Sequence, residues 1–201
     1  MQLEMLLVRH GITIGNLERR YIGQSDDQPL SVRGAEDLLR RRDCGEYPRC
    51  EAVFTSPMRR CMETAKILYP MLVPVVLPTL IELDFGAFEG KTYEQLKENA
   101  AYRRWIDTGG EAAPPGGEST PEFTMRLHGA VGQIAMQAES SGIRRCAVIT
   151  HGGCIMAMIS HFSAIDASNM YEYQVSNGSG FQAVFDTDRL CFTSVCPLPH
   201  N

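Results

Sequence analysis

The sequence has no surplus of positive charge, no long apolar run and no paired-cysteine motif. Its 201 residues carry 19 lysines and arginines against 24 acidic residues, which gives a formal net charge of −5. Because nucleic acids and anionic membranes attract basic surfaces, this balance disfavours both as partners. A site for an anion such as phosphate would therefore need a local cluster of positive charge within an acidic chain.

Cysteines are present, but not in a pattern that indicates disulfides. The sequence contains seven of them, an odd number, and no Cys-x-x-Cys spacing occurs. Cys146 lies inside an apolar segment, where a free cysteine packs as a small hydrophobic residue. A reduced, cytoplasmic environment fits this usage, whereas a disulfide framework or a zinc site does not.

No targeting or membrane-spanning segment is evident in the sequence. The first apolar run is interrupted by Glu4 and ends at Arg9-His10, unlike the apolar core of a signal peptide. No apolar stretch approaches the length of a transmembrane helix. We therefore predict a cytoplasmic protein without a membrane partner.

Metal-ligand patterns are also missing from the sequence. His128, His161 and His200 have no partner at ligand spacing, and neither His-x-His nor His-Glu-x-x-His occurs. A zinc or di-metal hydrolase is thus disfavoured, and we predict that the protein uses no metal and no cofactor.

What the sequence does contain is an alternation of short apolar strands with helical segments, which predicts an α/β fold. We expect a three-layer α/β/α sandwich, in which a mostly parallel mixed sheet has helices on both faces and ends in an antiparallel hairpin. The predicted strands lie near residues 3–9, 52–55, 75–77, 146–150, 181–186 and 190–195, and the predicted helices near 31–42, 56–68, 120–140 and 152–162.

The whole chain, residues 1–201, is long enough for one domain with a large buried core, and we predict a single domain. Residues 83–118 interrupt the alternation with short helices in Thr92–Ile106 and a stretch rich in proline and glycine. We interpret them as an excursion from the sheet that caps a pocket. Ser31 and Ser56 (with Pro57 at the first helical position) are predicted as helix caps, and either Ser119 or Thr120 is predicted to cap the helix near 120–140.

Two of the predicted strands end in His-Gly. Arg9-His10-Gly11 follows the first strand, and His151-Gly152-Gly153 follows the strand near 146–150. Ligands of open α/β sheets bind beyond the carboxyl ends of the strands, so neighbouring strands would bring both imidazoles and Arg9 to one place. The glycines allow the backbone to approach a ligand, and the amides of Gly152 and Gly153 open a helix that could bind an anion.

A third cation and a carboxylate are candidates for the same site. Arg60 lies in the first turn of the helix that Ser56-Pro57 would open, and Arg59 is the adjacent alternative. Glu82 is flanked by Ile81 and Leu83, so partial burial would raise the pKa of its carboxyl and make it a proton donor. A plain surface role for these residues is the competing interpretation.

Six motifs in order resemble the histidine phosphatase superfamily, the phosphoglycerate mutase-like family, from residue 6 to about 160. They are Arg9-His10-Gly11-x-Thr13-x-x-Asn16, Asp27-x-Pro29-Leu30-Ser31-x-x-Gly34, Ser56-Pro57-x-x-Arg60-x-x-x-Thr64-Ala65, Glu82-x-Asp84-Phe85-Gly86-x-x-Glu89-Gly90, Pro115-Gly116-Gly117-Glu118-Ser119 and Thr150-His151-Gly152-Gly153. Many relatives have Glu or Gln where this chain has Ile12. The stretch 23–30 is slightly longer than the common form.

The resemblance implies a role for each candidate. His10 would be the nucleophile that becomes phosphorylated, while Arg9, Arg60 and His151 would hold the phosphoryl oxygens. Asn16 would add an amide hydrogen bond, and Glu82 would be the general acid. A neutral imidazole can attack phosphorus, and nearby arginines disfavour its protonation. Those cations would stabilise the transferring phosphoryl group without a metal.

The resemblance implies a metal-independent phosphatase that acts on a small phosphate monoester. The motif Glu82-Leu83-Asp84-Phe85-Gly86 differs from the Glu-Arg-His-Tyr-Gly of cofactor-dependent mutases. The patterns Asp84-Phe85-Gly86-Ala87-Phe88-Glu89-Gly90 and Gly116-Gly117-Glu118-Ser119 look like the α-ribazole phosphatase branch, and broad-specificity small-molecule phosphatases share much of this pattern. A cofactor-dependent phosphoglycerate mutase and a non-catalytic phosphate-ester binding protein remain the alternatives. Gln24 and Ser25 are expected to contact the substrate. Tyr93, Tyr102 and Trp105 would either do so too or pack the short helices, and the protein would be a monomer or homodimer.

Overall fold

The computed structural model describes residues 1–163 and 173–199, and His200 lies outside them. Its strands are β1 (Gln2–Arg9), β2 (Ala52–Thr55), β3 (Val75–Val76), β4 (Arg145–Thr150), β5 (Gly180–Asp186) and β6 (Cys191–Pro197). Its α-helices are α1 (Ile14–Leu17), α2 (Val32–Asp43), α3 (Arg59–Leu68), α4 (Tyr93–Leu96), α5 (Ala100–Asp107), α6 (Thr120–Ser141) and α7 (Gly152–Phe162). Within these residues, every helix falls short of the length and apolarity needed to cross a membrane.

The strands form one mixed sheet in the order β3-β2-β4-β1-β5-β6. The pairs β3–β2, β2–β4 and β4–β1 are parallel, and β5 and β6 complete the sheet as an antiparallel hairpin. This confirms the predicted α/β class and the mostly parallel mixed sheet.

Successive side chains of β1 point to opposite faces of the sheet, which explains why helices pack on both faces and form three layers. Leu3, Met5 and Leu7 point to one face, where they join the apolar sides of α6 and α7 in a buried core. Leu6 and Val8 point to the other face and pack with α2 and α3. Because β1 is buried on both faces, it reads in the sequence as a nearly continuous apolar run.

Helix caps follow two of the three predictions. The Ser31 side chain accepts from Gly34 N–H, and Ser119 forms a reciprocal capping box with Glu122. The prediction for Ser56 is wrong, because α3 begins at Arg59 and its cap position is Met58. The Ser56 hydroxyl instead bonds to the His151 imidazole, a partner distant in sequence. The segment 11–30, between β1 and α2, also contains α1, which Thr13 and Asn16 cap reciprocally.

Residues 83–118 carry α4, α5 and a one-turn 3₁₀ helix at Gly86–Phe88. A small separate core of Phe88, Leu96 and Tyr102 holds these helices together. The two ends of the excursion meet through backbone hydrogen bonds, from Ala87 N–H to Pro115 O at 2.9 Å and from Glu118 N–H to Asp84 O at 3.0 Å. Gly86 has φ +48°, and a Cβ there would lie 2.4 Å from Pro115 O, so this crossing requires glycine.

Candidate active site

The two His-Gly segments meet where β1 and β4 end. These strands are parallel neighbours with Arg9 opposite Thr150, and His10 N–H donates to Thr150 O at 2.9 Å. The ring centroids of His10 and His151 are 5.2 Å apart, with an interplanar angle of 66°. The predicted convergence of the two imidazoles is therefore confirmed.

The His10 ring has a defined tautomer. Its Nδ1 lies 2.7 Å from the Gly11 carbonyl oxygen. Because a carbonyl only accepts hydrogen bonds, Nδ1 carries the proton and Nε2 keeps a lone pair. Burial holds the pKa of His10 well below its ordinary value, and the charges of Arg60 and Arg9 lower it further. The imidazole is thus a neutral base with its free nitrogen at Nε2.

Thr64 and Asn177, which were not among the predicted site residues, hold the backbone around His10. Thr64 Oγ1 accepts from Gly11 N–H at 3.0 Å and donates to Arg60 O at 2.7 Å, which ties α3 to the end of β1. Asn177 Nδ2 donates to His10 O at 3.1 Å. Thr64 stood within a family motif and could have been noticed. Asn177 carries no local signal, because only the sheet topology brings it here.

Arg9 and Arg60 each direct part of a buried guanidinium at the backbone. Arg9 Nη1 donates to Val175 O at 2.7 Å, and Arg60 donates to Asp26 O and Gly23 O, both at 3.0 Å. The Nε atoms of both arginines are buried and have no hydrogen-bond partner among the described residues. Buried N–H donors normally have an acceptor, so these two are suited to bind an anion.

The structure distinguishes Arg60 from its neighbour Arg59. Arg60 is completely buried, whereas the Arg59 side chain is 60% exposed and pairs with Glu63 at 2.7 Å. Of the two candidates, only Arg60 reaches the histidines, where its charge lowers the pKa values of His10 and His151.

His151 is fully buried between two elements. Its Nε2 lies 2.8 Å from Ser56 Oγ and 3.6 Å from Cys61 Sγ. Burial, followed by the charge of Arg60, lowers the pKa of His151 well below its ordinary value. His151 is also the N-cap residue of α7, although its side chain makes no capping hydrogen bond. Gly152 follows it, and a Cβ there would lie 3.4 Å from Arg9 Nε, so Arg9 rests against the start of this helix.

Glu82 is a buried carboxyl at the side of the two histidines. Its oxygens accept from Leu83 N–H at 2.9 Å and from Gly153 N–H at 3.2 Å. Burial raises the pKa of Glu82, while these hydrogen bonds and the charges of Arg60 and Arg9 oppose the rise. The direction agrees with the rise in pKa that the sequence predicts, and a raised pKa suits this carboxyl to the role of proton donor.

Arg126 positions the loop that carries Glu82, a role that the sequence did not indicate. Its guanidinium donates to the backbone oxygens of Thr79, Ile81 and Glu82 at 2.9, 2.6 and 2.8 Å. It also forms a paired hydrogen bond with Glu118, at 2.7 and 2.8 Å. Glu118 belongs to the Pro-Gly-Gly-Glu motif, so that motif contributes to the site by holding Arg126.

The remaining predicted residues lie at the periphery of the site. Gln24 Nε2 donates to Glu82 O at 3.0 Å, whereas Ser25 is exposed and hydrogen bonds to Glu89 through its N–H and hydroxyl. Asn16 Oδ1 accepts from Asn177 Nδ2 at 3.0 Å. The substrate contacts of Gln24, Ser25 and Asn16 stay predictions. In the described part of the chain, no three His, Cys, Asp or Glu side chains come together as a metal would require.

A cavity of about 350 Å³ opens on Glu82. Its walls come from the excursion, from the first turn of α6 and from one side of α7 between Gly153 and His161, with Tyr21 and Gln174 completing them. Of the three aromatic residues considered in the excursion, only Trp105 lines this cavity. Tyr102 is buried in the small separate core, and Tyr93 is 57% exposed. For Tyr102, the packing interpretation is therefore the correct one.

The ends of the parallel strands β1 and β4 bring together two histidines with lowered pKa values and two arginines, an arrangement suited to a protein that binds phosphoryl groups. A family model described as the histidine phosphatase superfamily (branch 1) matches residues 5–195. The chain belongs to that superfamily, a family of phosphoryl-transfer enzymes.

Proteins named for two different activities, a mutase and a phosphatase, resemble the chain. The protein named "Probable phosphoglycerate mutase GpmB" of Enterobacter sp. (strain 638) is 32% identical over 164 residues, which cover 78% of this chain and 74% of that protein. The α-ribazole phosphatase from Shigella flexneri has a TM-score of 0.83 at 22% identity, over 98% of this chain and 96% of that one. A phosphoglycerate mutase from Bacillus anthracis str. Sterne has a TM-score of 0.81 at 23% identity, over 96% and 91%. At these identities the two structures share the fold.

Proposed function

We propose that the protein is a metal-independent phosphomonoesterase that hydrolyses a small phosphorylated metabolite through a phosphohistidine on His10. The observation that carries this proposal is the contact between His10 Nδ1 and the Gly11 carbonyl oxygen. This contact places the ring proton on Nδ1 and leaves the lone pair of Nε2 available to attack phosphorus. The partnerless Nε atoms of Arg9 and Arg60 and the buried carboxyl of Glu82 complete the set of groups that phosphoryl transfer needs.

In the first step, His10 Nε2 forms a bond to phosphorus as the ester P–O bond breaks. Arg9, Arg60, His151 and the amide of Gly152 bind the phosphoryl oxygens, and Asn16 adds a hydrogen bond. Glu82 gives its proton to the departing alkoxide. The Nδ1–H bond to Gly11 O stabilises the positive charge that develops on the imidazole.

In the second step, water attacks phosphorus and the N–P bond breaks. Glu82, now a carboxylate, takes a proton from that water, which restores the acid for the next cycle. Phosphate leaves, and His10 returns to its neutral form.

We propose hydrolysis rather than mutase activity, with α-ribazole 5′-phosphate as the candidate substrate. The motif Glu82-Leu83-Asp84-Phe85-Gly86 supports the proposal, because it resembles the phosphatase branch. The alternative is a cofactor-dependent phosphoglycerate mutase, which the names of the curated relatives favour. A mutase must shield its phosphohistidine from water, whereas a phosphatase must admit water.

The fate of the phosphoryl group separates these functions. We expect inorganic phosphate to be released from α-ribazole 5′-phosphate with no added bisphosphate, and more slowly from sugar phosphates and 3-phosphoglycerate. Phosphorus NMR would follow the products. Interconversion of 3- and 2-phosphoglycerate that requires a bisphosphorylated primer, without release of phosphate, would identify a mutase. Ligand binding with no release from any ester would identify a phosphate-ester binding protein.

The role of Glu82 predicts a dependence on the leaving group and on pH. In Glu82→Gln, kcat for an alkyl phosphate should fall about 10²- to 10⁴-fold, since the variant lacks the acid. With p-nitrophenyl phosphate, whose leaving group needs no proton, we expect a rapid burst of one equivalent of nitrophenolate and then slow turnover, because the base of the second step is also missing.

The pH profile follows from the same two groups. Only the protonated acid is active, so kcat of the wild type for an alkyl phosphate should decline as pH rises through the raised pKa of Glu82. On the acid side it should decline only below the lowered pKa of His10. Glu82→Gln should lose the alkaline decline. Glu94→Gln, at an exposed carboxylate, is the control, and an unchanged profile in Glu82→Gln would contradict the assignment.

A further inference from the structure

The cavity that opens on Glu82 has the shape and lining of a site for an apolar group. Its volume of about 350 Å³ lies within the range of small-molecule sites. Glu82 and Gly153 line the end next to the histidines, and the rings of Phe85 and Trp105 face side chains of α7 such as Met156. A group that leaves with a proton from Glu82 would therefore enter this cavity.

One wall of the cavity is aromatic, and packing among its rings holds it in place. The rings of Tyr21, Phe85 and Trp105 lie edge to face or tilted, with centroids 5.2 to 6.0 Å apart. The Tyr21 hydroxyl is 2.6 Å from the hydroxyl of the buried Tyr102, which anchors the wall to the small separate core. A planar ring could stack here without ordering the side chains first.

The cavity offers no counter-ion for a negatively charged leaving group. Among the described residues that line it there is no lysine and no arginine, and its carboxyl is Glu82. The one histidine in that lining is His161, and burial lowers the pKa of this imidazole, which disfavours the cation. A carboxylate, such as that of a glycerate, would lose water without gaining a charged partner. An uncharged leaving group incurs no such cost.

Two residues that line the cavity carry a buried hydrogen-bond donor with no partner among the described residues. Trp105 Nε1 and Ser160 Oγ are buried and make no hydrogen bond within the part of the chain that the structure describes. Both residues line the cavity, and the indole nitrogen lies beside Gly110, where a Cβ would be 3.4 Å away. Buried donors without an acceptor are rare in folded proteins, and the indole N–H can only donate.

We infer that this cavity binds the leaving group of the substrate, an uncharged planar ring system with a hydrogen-bond acceptor that Trp105 and Ser160 recognise. The inference deepens the proposed phosphatase function and rests on it for the position of the leaving group. It names two specificity-determining residues, Trp105 on α5 and Ser160 on α7, to which the family motifs give no role.

The kinetic test compares quinolinyl phosphates, 1-naphthyl phosphate and glycerol 3-phosphate. These share the phosphate, but only the quinolinyl isomers combine planar rings with an acceptor. For the wild type we expect kcat/KM to be highest for one quinolinyl isomer and lowest for glycerol 3-phosphate. Trp105→Phe and Ser160→Ala should each lower the ratio of quinolinyl to naphthyl kcat/KM about tenfold, because each variant removes a hydrogen-bond donor that only the quinolinyl ring nitrogen can use. Tyr93→Phe, on the exposed side of α4, is the matched control.

A binding experiment separates this inference from the proposed function. Trp105 is the one tryptophan of the chain, so the protein has a single indole N–H resonance in nitrogen-edited NMR. Phosphate-free quinolinols should shift that resonance downfield, and 1-naphthol should not. Selective shifts without phosphate release would reject the phosphatase and keep the ring site. Phosphate release with equal kcat/KM for all three ester types, or with unchanged ratios in both variants, would overturn the ring site.

Discussion

His10→Ala should lower kcat for every phosphate monoester by about 10⁴-fold or more, which is typical for loss of a covalent nucleophile. Alanine removes the only atom that can bond to phosphorus in the proposed first step. Hydrolysis of p-nitrophenyl phosphate measures the loss. His128→Ala is the matched control, since His128 is exposed on α6 and should keep wild-type activity.

Binding should behave differently from turnover in this variant. The Nε atoms of Arg9 and Arg60 remain, so calorimetry should still detect phosphate with an affinity within about tenfold of the wild type. Incubation of the wild type with substrate followed by rapid quenching should give a phosphoramidate signal in phosphorus NMR that the variant lacks. Undiminished hydrolysis by His10→Ala would rule out the phosphohistidine mechanism.

The sequence predicted the sheet well because its signals are local. β1 and β4 are largely apolar on both faces, so each appears as a nearly continuous apolar run that is followed by His-Gly. The Ser119 cap was also predictable, since its partner Glu122 lies three residues away. Each of these features depends on interactions within one element or between strands whose pairing follows from a parallel sheet.

The features that were missed depend on contacts between distant segments. Ser56 looks like a helix cap but bonds to His151, 95 residues away. Arg126 looks like a polar residue on the solvent side of α6 but donates to three backbone oxygens around Glu82. Asn177 reaches His10 from the approach to β5. No periodicity or spacing indicates such partners, because tertiary packing alone brings them together.

Burial explains how an acidic chain can contain an anion site. Arg9 and Arg60 lie in a place where burial lowers the pKa values of His10 and His151 and raises the pKa of Glu82. The local charge is therefore more positive than the residue count suggests. The overall balance of −5 would not attract a phosphate ester over a long range, so binding depends on contacts made within the site.

Arg60→Met should lower kcat/KM about 10³-fold or more, as expected for an arginine that stabilises a transferring phosphoryl group. Its neighbour supplies a matched control, because Arg59→Met removes an exposed arginine from the same turn of α3 and loses only a surface ion pair. We expect Arg59→Met to stay within about twofold of the wild type. Steady-state kinetics on p-nitrophenyl phosphate compares the two, and equal losses would contradict the assignment of the anion contact to Arg60.

Arg60→Met should also change the pH profile, which a purely structural role for Arg60 would not do. Arg60 lowers the pKa of His10, so its removal should raise that pKa and move the acid decline of kcat to higher pH. The Gly23 and Asp26 carbonyls lose their donor, which should cost about 1–3 kcal/mol of unfolding free energy and can be measured by thermal denaturation. Arg60→Lys keeps the charge but not the planar fork, so it should hold the acid decline near its wild-type position while activity stays low. A loss of activity in both variants, with the acid decline of Arg60→Met at its wild-type position, would contradict the proposal. Arg60 would then stabilise the fold without binding the phosphoryl group.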